Sequence, residues 1–146
     1  ALMLAPVAAW IAVAGVGDLT VPVVLGAAVA FWVTGFDVLY ACQDAGFDAA
    51  EGLHSIPARF GVPASLRIAA GCHAVMFALL VTLGFVSPHL GAIYFAGLAA
   101  VGALLVYEHR LVRPDDLTRV NRAFFQVNGV ISVGLLAVVL VQLAVR

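Results

Sequence analysis

Long apolar runs alternate along the chain with connections of two sharply different kinds. Hydropathy predicts five spans over residues 1–16, 21–42, 64–86, 90–107 and 123–145. Each approaches the about 20 residues a helix needs to cross a bilayer, except the first, which is short. Residues 17–20 and 87–89 are brief links without arginine. Residues 43–63 and 108–122 are long and polar, and with Arg67 just beyond they hold six of the seven arginines. Alternating spans put these two stretches on one side of the membrane, and the excess of positive charge makes that side the cytoplasm. Only Arg146 falls opposite. The pattern predicts an all-α, polytopic transmembrane helical bundle, a single domain over residues 1–146. Small residues within the spans, as in Gly26-Ala27-Ala28 and Gly97-Leu98-Ala99-Ala100, predict close helix packing in lipid.

Composition agrees. The 146 residues are 64% hydrophobic and 10% charged, with a mean hydropathy of +1.13. Soluble domains carry about 25% charged residues. Lysine is absent, the net charge is −1, and the arginines form no dense basic cluster, so nothing points to nucleic acid. Cys42 and Cys72 fall in or beside predicted helices and read as buried thiols rather than a disulfide or a CxxC metal motif. The chain opens directly in apolar sequence, without an initiator Met or the basic start of a signal peptide. It therefore reads as part of a longer protein whose first helix here is clipped.

The chemistry concentrates where the second span meets the cytoplasm. Four of the eight acids, Asp37, Asp44, Asp48 and Glu51, lie within residues 36–52. On a continuous helix Asp37, Asp44 and Asp48 recur after seven and four residues, roughly 10 Å and roughly 6 Å apart in one stripe, with Tyr40 near it. Carboxylates so stacked repel unless a cation or protons occupy the site. The stripe predicts a divalent-metal site on Asp44 and Asp48, with Asp37 deeper, where a carboxylate is costly unless partnered. The first polar stretch then ends in His54 and Arg59, and the second mixes Arg113 and Arg119 with Asp115 and Asp116. Metal with neighbouring arginine suits diphosphate, because Mg²⁺ bridges its oxygens and guanidinium binds them in pairs. Plainer roles stand beside these. Asp44 and Asp48 are also what a solvated helix end carries, Tyr40 suits an interfacial belt, and Arg59 a membrane anchor. His54 fits an ordinary loop, Ser55 and Pro57 suit a turn, and Arg113, Asp115, Asp116 and Arg119 a surface ion network. Asn128, inside a span, fits interhelical hydrogen bonding, while His73 and Phe124-Phe125 fit packing.

At these residues the sequence resembles the UbiA-type intramembrane prenyltransferases. Their second aspartate-rich motif runs D-x-x-Y-A-x-x-D-x-x-x-D, followed by G-x-x-S and a closing G. Asp37, Tyr40, Ala41, Asp44, Asp48, Gly52, Ser55 and Gly61 stand in register with it. Arg113-Pro114-Asp115-Asp116-Leu117, Arg119-Val120-Asn121 and Phe124-Phe125 are similar to the bacterial quinone-pathway members. The resemblance covers essentially the whole chain, as the last five of nine helices. It implies a bacterial inner-membrane enzyme with a polar chamber open to the cytoplasm and lateral access for a lipid chain. The implied reaction moves a prenyl group from a polyprenyl diphosphate to an aromatic acceptor with Mg²⁺. Asp44 and Asp48 would bind the Mg²⁺–diphosphate pair, Asp37 and Tyr40 would line the chamber below, and His54 would reach the diphosphate. Beside what the resemblance implies, Arg59, Arg113, Asp115 and Arg119 are expected to contact substrate.

The family's first motif, N-D-x-x-D-x-x-x-D on an earlier helix, does not occur in these 146 residues. The chain therefore reads as the C-terminal half, partnered by an N-terminal half of the same enzyme and inactive alone. For the acceptor, 4-hydroxybenzoate of a ubiquinone route comes first and a dihydroxynaphthoate of a menaquinone route second. A transporter fragment would place its acids near the midplane beside broken helices, whereas here they gather at one end. A CDP-alcohol phosphotransferase would need an Asp-Gly and Ala-Arg order ahead of paired aspartates that this sequence lacks.

Overall fold

A computed structural model describes residues 2–145. A short 3₁₀ turn, Leu2–Leu4, leads into α1 (Ala5–Ala14), followed by α2 (Thr20–Ala41), a 3₁₀ turn over Cys42–Asp44 and α3 (Ala45–Ala50). Then come α4 (Ile56–Phe60), α5 (Val62–Val86), α6 (Ala92–Leu111), a wide π turn over Arg122–Val127 and α7 (Asn128–Ala144). The described residues form no named strand.

Four helical stretches are long and apolar enough to cross a membrane: Thr20–Ala50, Val62–Val86, Ala92–Leu111 and Arg122–Ala144. The chain is an integral membrane helical bundle. The first expected span, the short one, is a shorter apolar helix. The apolar helix there runs over Leu2–Ala14, about 20 Å at 1.5 Å per residue, short of the about 30 Å hydrocarbon core. Ala1 and Arg146, one expected to open that span and the other to mark the opposite face, lie outside the described residues.

The core lies where α2 and α5 run against each other, closed on the other side by α6 and α7. Leu39, Ala69, Met76, Tyr94, Leu98, Val120, Ala123 and Ile131 are almost wholly buried. Gly35 brings α2 and α5 into close approach, because a Cβ there would run into the His73 ring and stand 3.2 Å from the Ala69 carbonyl oxygen. This is the small-residue packing that lipid-embedded helices use in place of a hydrophobic driving force. Tyr94 Oη donates to the Leu80 carbonyl (2.8 Å), and the Tyr94 backbone N–H donates to Gln142 Oε1 (3.2 Å), tying α6 to α5 and α7. Val130, Val133, Leu136 and Leu140 on α7 are exposed, as apolar side chains can be where the solvent is hydrocarbon. Both cysteines are free.

Candidate active site

The acidic stripe rises from α2, but the helix does not continue through it evenly. Residues 42–44 tighten into a 3₁₀ turn before α3 begins. Three residues per turn instead of 3.6 rotates α3 about the helix axis relative to α2. The evenly wound helix expected through Asp48 is thus corrected. Asp37 and Asp44 are exposed and Asp48 is half-buried in the first turn of α3. At that position its charge faces the positive end of a helix dipole.

The turn after α3 explains three motif positions by backbone chemistry alone. Gly52 has φ +66°, and the Leu53 N–H reaches back to the Asp48 carbonyl oxygen at 2.8 Å. A glycine in the left-handed region with that long reverse bond is how helices end. Ser55 then caps α4, its Oγ accepting from the Ala58 N–H at 3.2 Å. Gly61, φ +77°, turns the chain directly from α4 into α5. This local geometry brings His54 and Arg59 together on a hollow of about 460 Å³ with Ala49 and Gly52 on its wall. The Arg59 guanidinium lies 5.3 Å from the centre of the Phe60 ring.

Below the acids lies an aromatic face. Trp32, Phe36 and Tyr40 recur every four residues on α2, one turn above another. Phe124 packs against Phe36 (ring centres 5.3 Å) and Tyr40 (4.5 Å), and Phe125 also reaches Tyr40 (6.3 Å). The π turn makes this possible, since a wider turn narrows the angle between consecutive side chains. A groove of about 340 Å³ runs along this face, with Trp32, Phe36, Phe124 and Asn128 on its wall.

The second polar stretch is shorter than expected, and Glu108 and His109 are corrected from loop to helix because α6 extends to Leu111. The remaining loop turns tightly at Arg113 and Asp116, whose backbone groups exchange two hydrogen bonds of 3.1 Å. Asp116 Oδ1 accepts from the Thr118 hydroxyl (2.6 Å) and N–H (3.1 Å). These bonds, with lesser help from Arg119 and Arg113, hold its carboxyl below the usual range. Arg113, Asp115 and Arg119 are exposed on this loop. None of them makes an ion pair with the Asp44 and Asp48 stretch among the described residues.

For a metal, the described residues contain no cluster of three or more His, Cys, Asp or Glu. Asp44 and Asp48 stand one turn apart, and neither side chain makes a hydrogen bond or ion pair among the described residues. Two free carboxylates suit Mg²⁺, which takes one or two from the protein and fills its octahedron with water and substrate phosphate.

Sequence reasoning missed a buried polar network. Trp32 Nε1 donates to Asn128 Oδ1 (2.8 Å), and Asn128 Nδ2 donates to Glu108 Oε1 (3.0 Å) and, more weakly, to the Ala123 carbonyl (3.3 Å). His73 Nδ1 meets His109 Nε2 at 2.9 Å and lies 3.8 Å from Glu108 Oε2. Four helices are thereby joined. Asn128 does act as interhelical glue, but His73 is more than packing. Glu108 follows an apolar span directly, and one further helical turn would have placed it inside the membrane, where an acid calls for a partner.

Residues 1–144 match the family model for UbiA prenyltransferases. A 4-hydroxybenzoate octaprenyltransferase of Thiobacillus denitrificans is 39% identical over 98 residues, covering 67% of this chain and 33% of that protein. The enzyme of the same name from Aromatoleum aromaticum is 32% identical over 112 residues, covering 75% and 37%. That from Alkalilimnicola ehrlichii is 38% identical over 108 residues, covering 72% and 36%. The chain thus spans about a third of the length of these relatives. No solved structure gives a significant match. With the aspartate stripe, the capped turn and the helical bundle all falling within the matched residues, the chain belongs to the UbiA prenyltransferase family.

Proposed function

We propose that this chain forms part of a membrane enzyme that transfers a polyprenyl group from its diphosphate to a hydroxylated aromatic acid. The carrying observation is the pair of unpartnered carboxylates, Asp44 and Asp48, at the polar end of a spanning helix above an aromatic groove. Asp44 and Asp48 would hold Mg²⁺, which would supply positive charge against the departing diphosphate. His54 and Arg59, sharing one hollow beside α3, reach the diphosphate oxygens. Arg113, Asp115 and Arg119 add substrate contacts from the second loop. The polyprenyl chain lies along Trp32, Phe36 and Phe124. Tyr40, packed on Phe124 and Phe125, and Asp37 line the chamber below the metal, where the acceptor's attack and proton loss take place. The groove keeps water from the cationic carbon.

The acceptor is a 4-hydroxybenzoate-like acid, by the names of the relatives, in quinone synthesis at the cytoplasmic face of a bacterial inner membrane. The remaining metal ligands come from an N-terminal half of the same enzyme. The test is Mg²⁺-dependent transfer from a labelled polyprenyl diphosphate by the intact enzyme, with 4-hydroxybenzoate and a dihydroxynaphthoate as competing acceptors. Asp44→Ala is expected to lower the rate about a hundredfold or more. An unchanged rate would remove Asp44 from the site, and preference for the naphthoate would move the enzyme to a menaquinone route.

A further inference from the structure

A second concavity, of about 600 Å³, opens between α5 and α6. It follows Ala70 to Phe77 on one helix and Gly102 to Arg110 on the other, about 10–12 Å at helical rise. Both helices are long enough to cross the membrane, so the groove lies at bilayer depth. Its polarity is graded. Phe77, Gly102 and Val106 form an apolar stretch, and His109 and Arg110 stand at one end, in the last turn of α6. Gly102 keeps the floor open, since a Cβ there would press to 3.1 Å from the Phe77 ring. His109 is held from behind by His73 at 2.9 Å. Arg110 is exposed and makes no ion pair among the described residues.

An apolar trough in a bilayer fills with an acyl chain rather than with water, and a lone cation at its interfacial end selects a negative headgroup. Basic pockets between transmembrane helices bind anionic lipids for this reason. We propose that the α5–α6 groove is a binding site for an anionic phospholipid. One acyl chain runs along Phe77, Gly102 and Val106, and the phosphate rests against the Arg110 guanidinium with His109 beside it. The site involves none of the residues assigned to prenyl transfer.

The test uses the intact protein in detergent micelles with phosphatidylglycerol or phosphatidylcholine of matched acyl chains, retained lipid being counted by native mass spectrometry. Phosphatidylglycerol is expected to be retained about fivefold better, the contribution of one basic residue at a membrane surface. Arg110→Gln should bring that ratio close to one, and Arg122→Gln, in the π turn ahead of α7, should leave it unchanged. Val106→Trp, which fills the trough, should lower retention of both lipids. Equal retention of the two lipids by the unmodified protein overturns the proposal. So does a preference that survives Arg110→Gln, or an intact protein that retains neither lipid because another segment covers the groove.

Discussion

Asn128 is the joint through which α2, α6 and α7 are tied, and replacing it with Leu should cost more than its size suggests. The substitution keeps the volume roughly constant and removes two interhelical hydrogen bonds, to Trp32 (2.8 Å) and Glu108 (3.0 Å). Interhelical bonds in membranes contribute about 0.6 kcal/mol on average and up to about 1.7, so the pair accounts for about 1–3 kcal/mol. Glu108 makes the penalty larger. Its Oε2 already lacks a hydrogen-bond partner, and losing Asn128 strips Oε1 as well, leaving a fully buried carboxyl unsatisfied at a further cost of about 1–3 kcal/mol. Asn128→Leu is therefore expected to destabilise the bundle by about 2–6 kcal/mol, the sum of these two contributions, read as equilibrium unfolding in mixed micelles. The sharper measurement is a double-mutant cycle with Glu108→Leu. Once the acid is gone, Asn128 has less to satisfy, so the double variant should lose at least about 1 kcal/mol less than the sum of the singles. Additivity within about 0.5 kcal/mol would refute the view that these side chains act as one unit.

Gly35→Ala should destabilise the α2–α5 contact by about 1–3 kcal/mol through overpacking against His73, measured by the same unfolding assay. Gly61→Ala places a Cβ at φ +77° and should cost about 1–2 kcal/mol, whereas Gly46→Ala, with open space around it, should be neutral or slightly stabilising. Asp116, held below the usual aspartate value by its bonds to Thr118, should titrate by NMR below the about 3.9 of a free aspartate. A lowered folded value means that its turn is supported at neutral pH and loses that support as pH falls through the folded midpoint. Thr118→Ala should move the midpoint upward, and an unmoved midpoint would show that Thr118 is not the cause. Phe124→Ala should weaken transfer by the intact enzyme while leaving Mg²⁺ dependence in place, because it removes the wall of the groove and not the carboxylates.

What hydropathy and spacing could decide, they decided through solvent chemistry. Runs such as 64–86 and 123–145 are too apolar to be anything but lipid-embedded, and backbone groups in lipid must bond within their own helix. The aspartate motif was legible for a similar local reason. Gly52, Ser55 and Gly61 encode a helix stop, a cap and a turn within ten residues, and these put His54 beside Arg59 without distant help. The 3₁₀ turn at Cys42–Asp44 and the π turn at Arg122–Val127 were not legible, because hydropathy is nearly blind to how tightly a helix is wound. Nor was the Trp32–Asn128–Glu108 network, whose members are up to 96 residues apart in the chain. A sequence states that Glu108 and Asn128 are polar. Only the packing of α2, α5, α6 and α7 decides that they are buried together, and burial is what turns two ordinary polar residues into an obligatory pair.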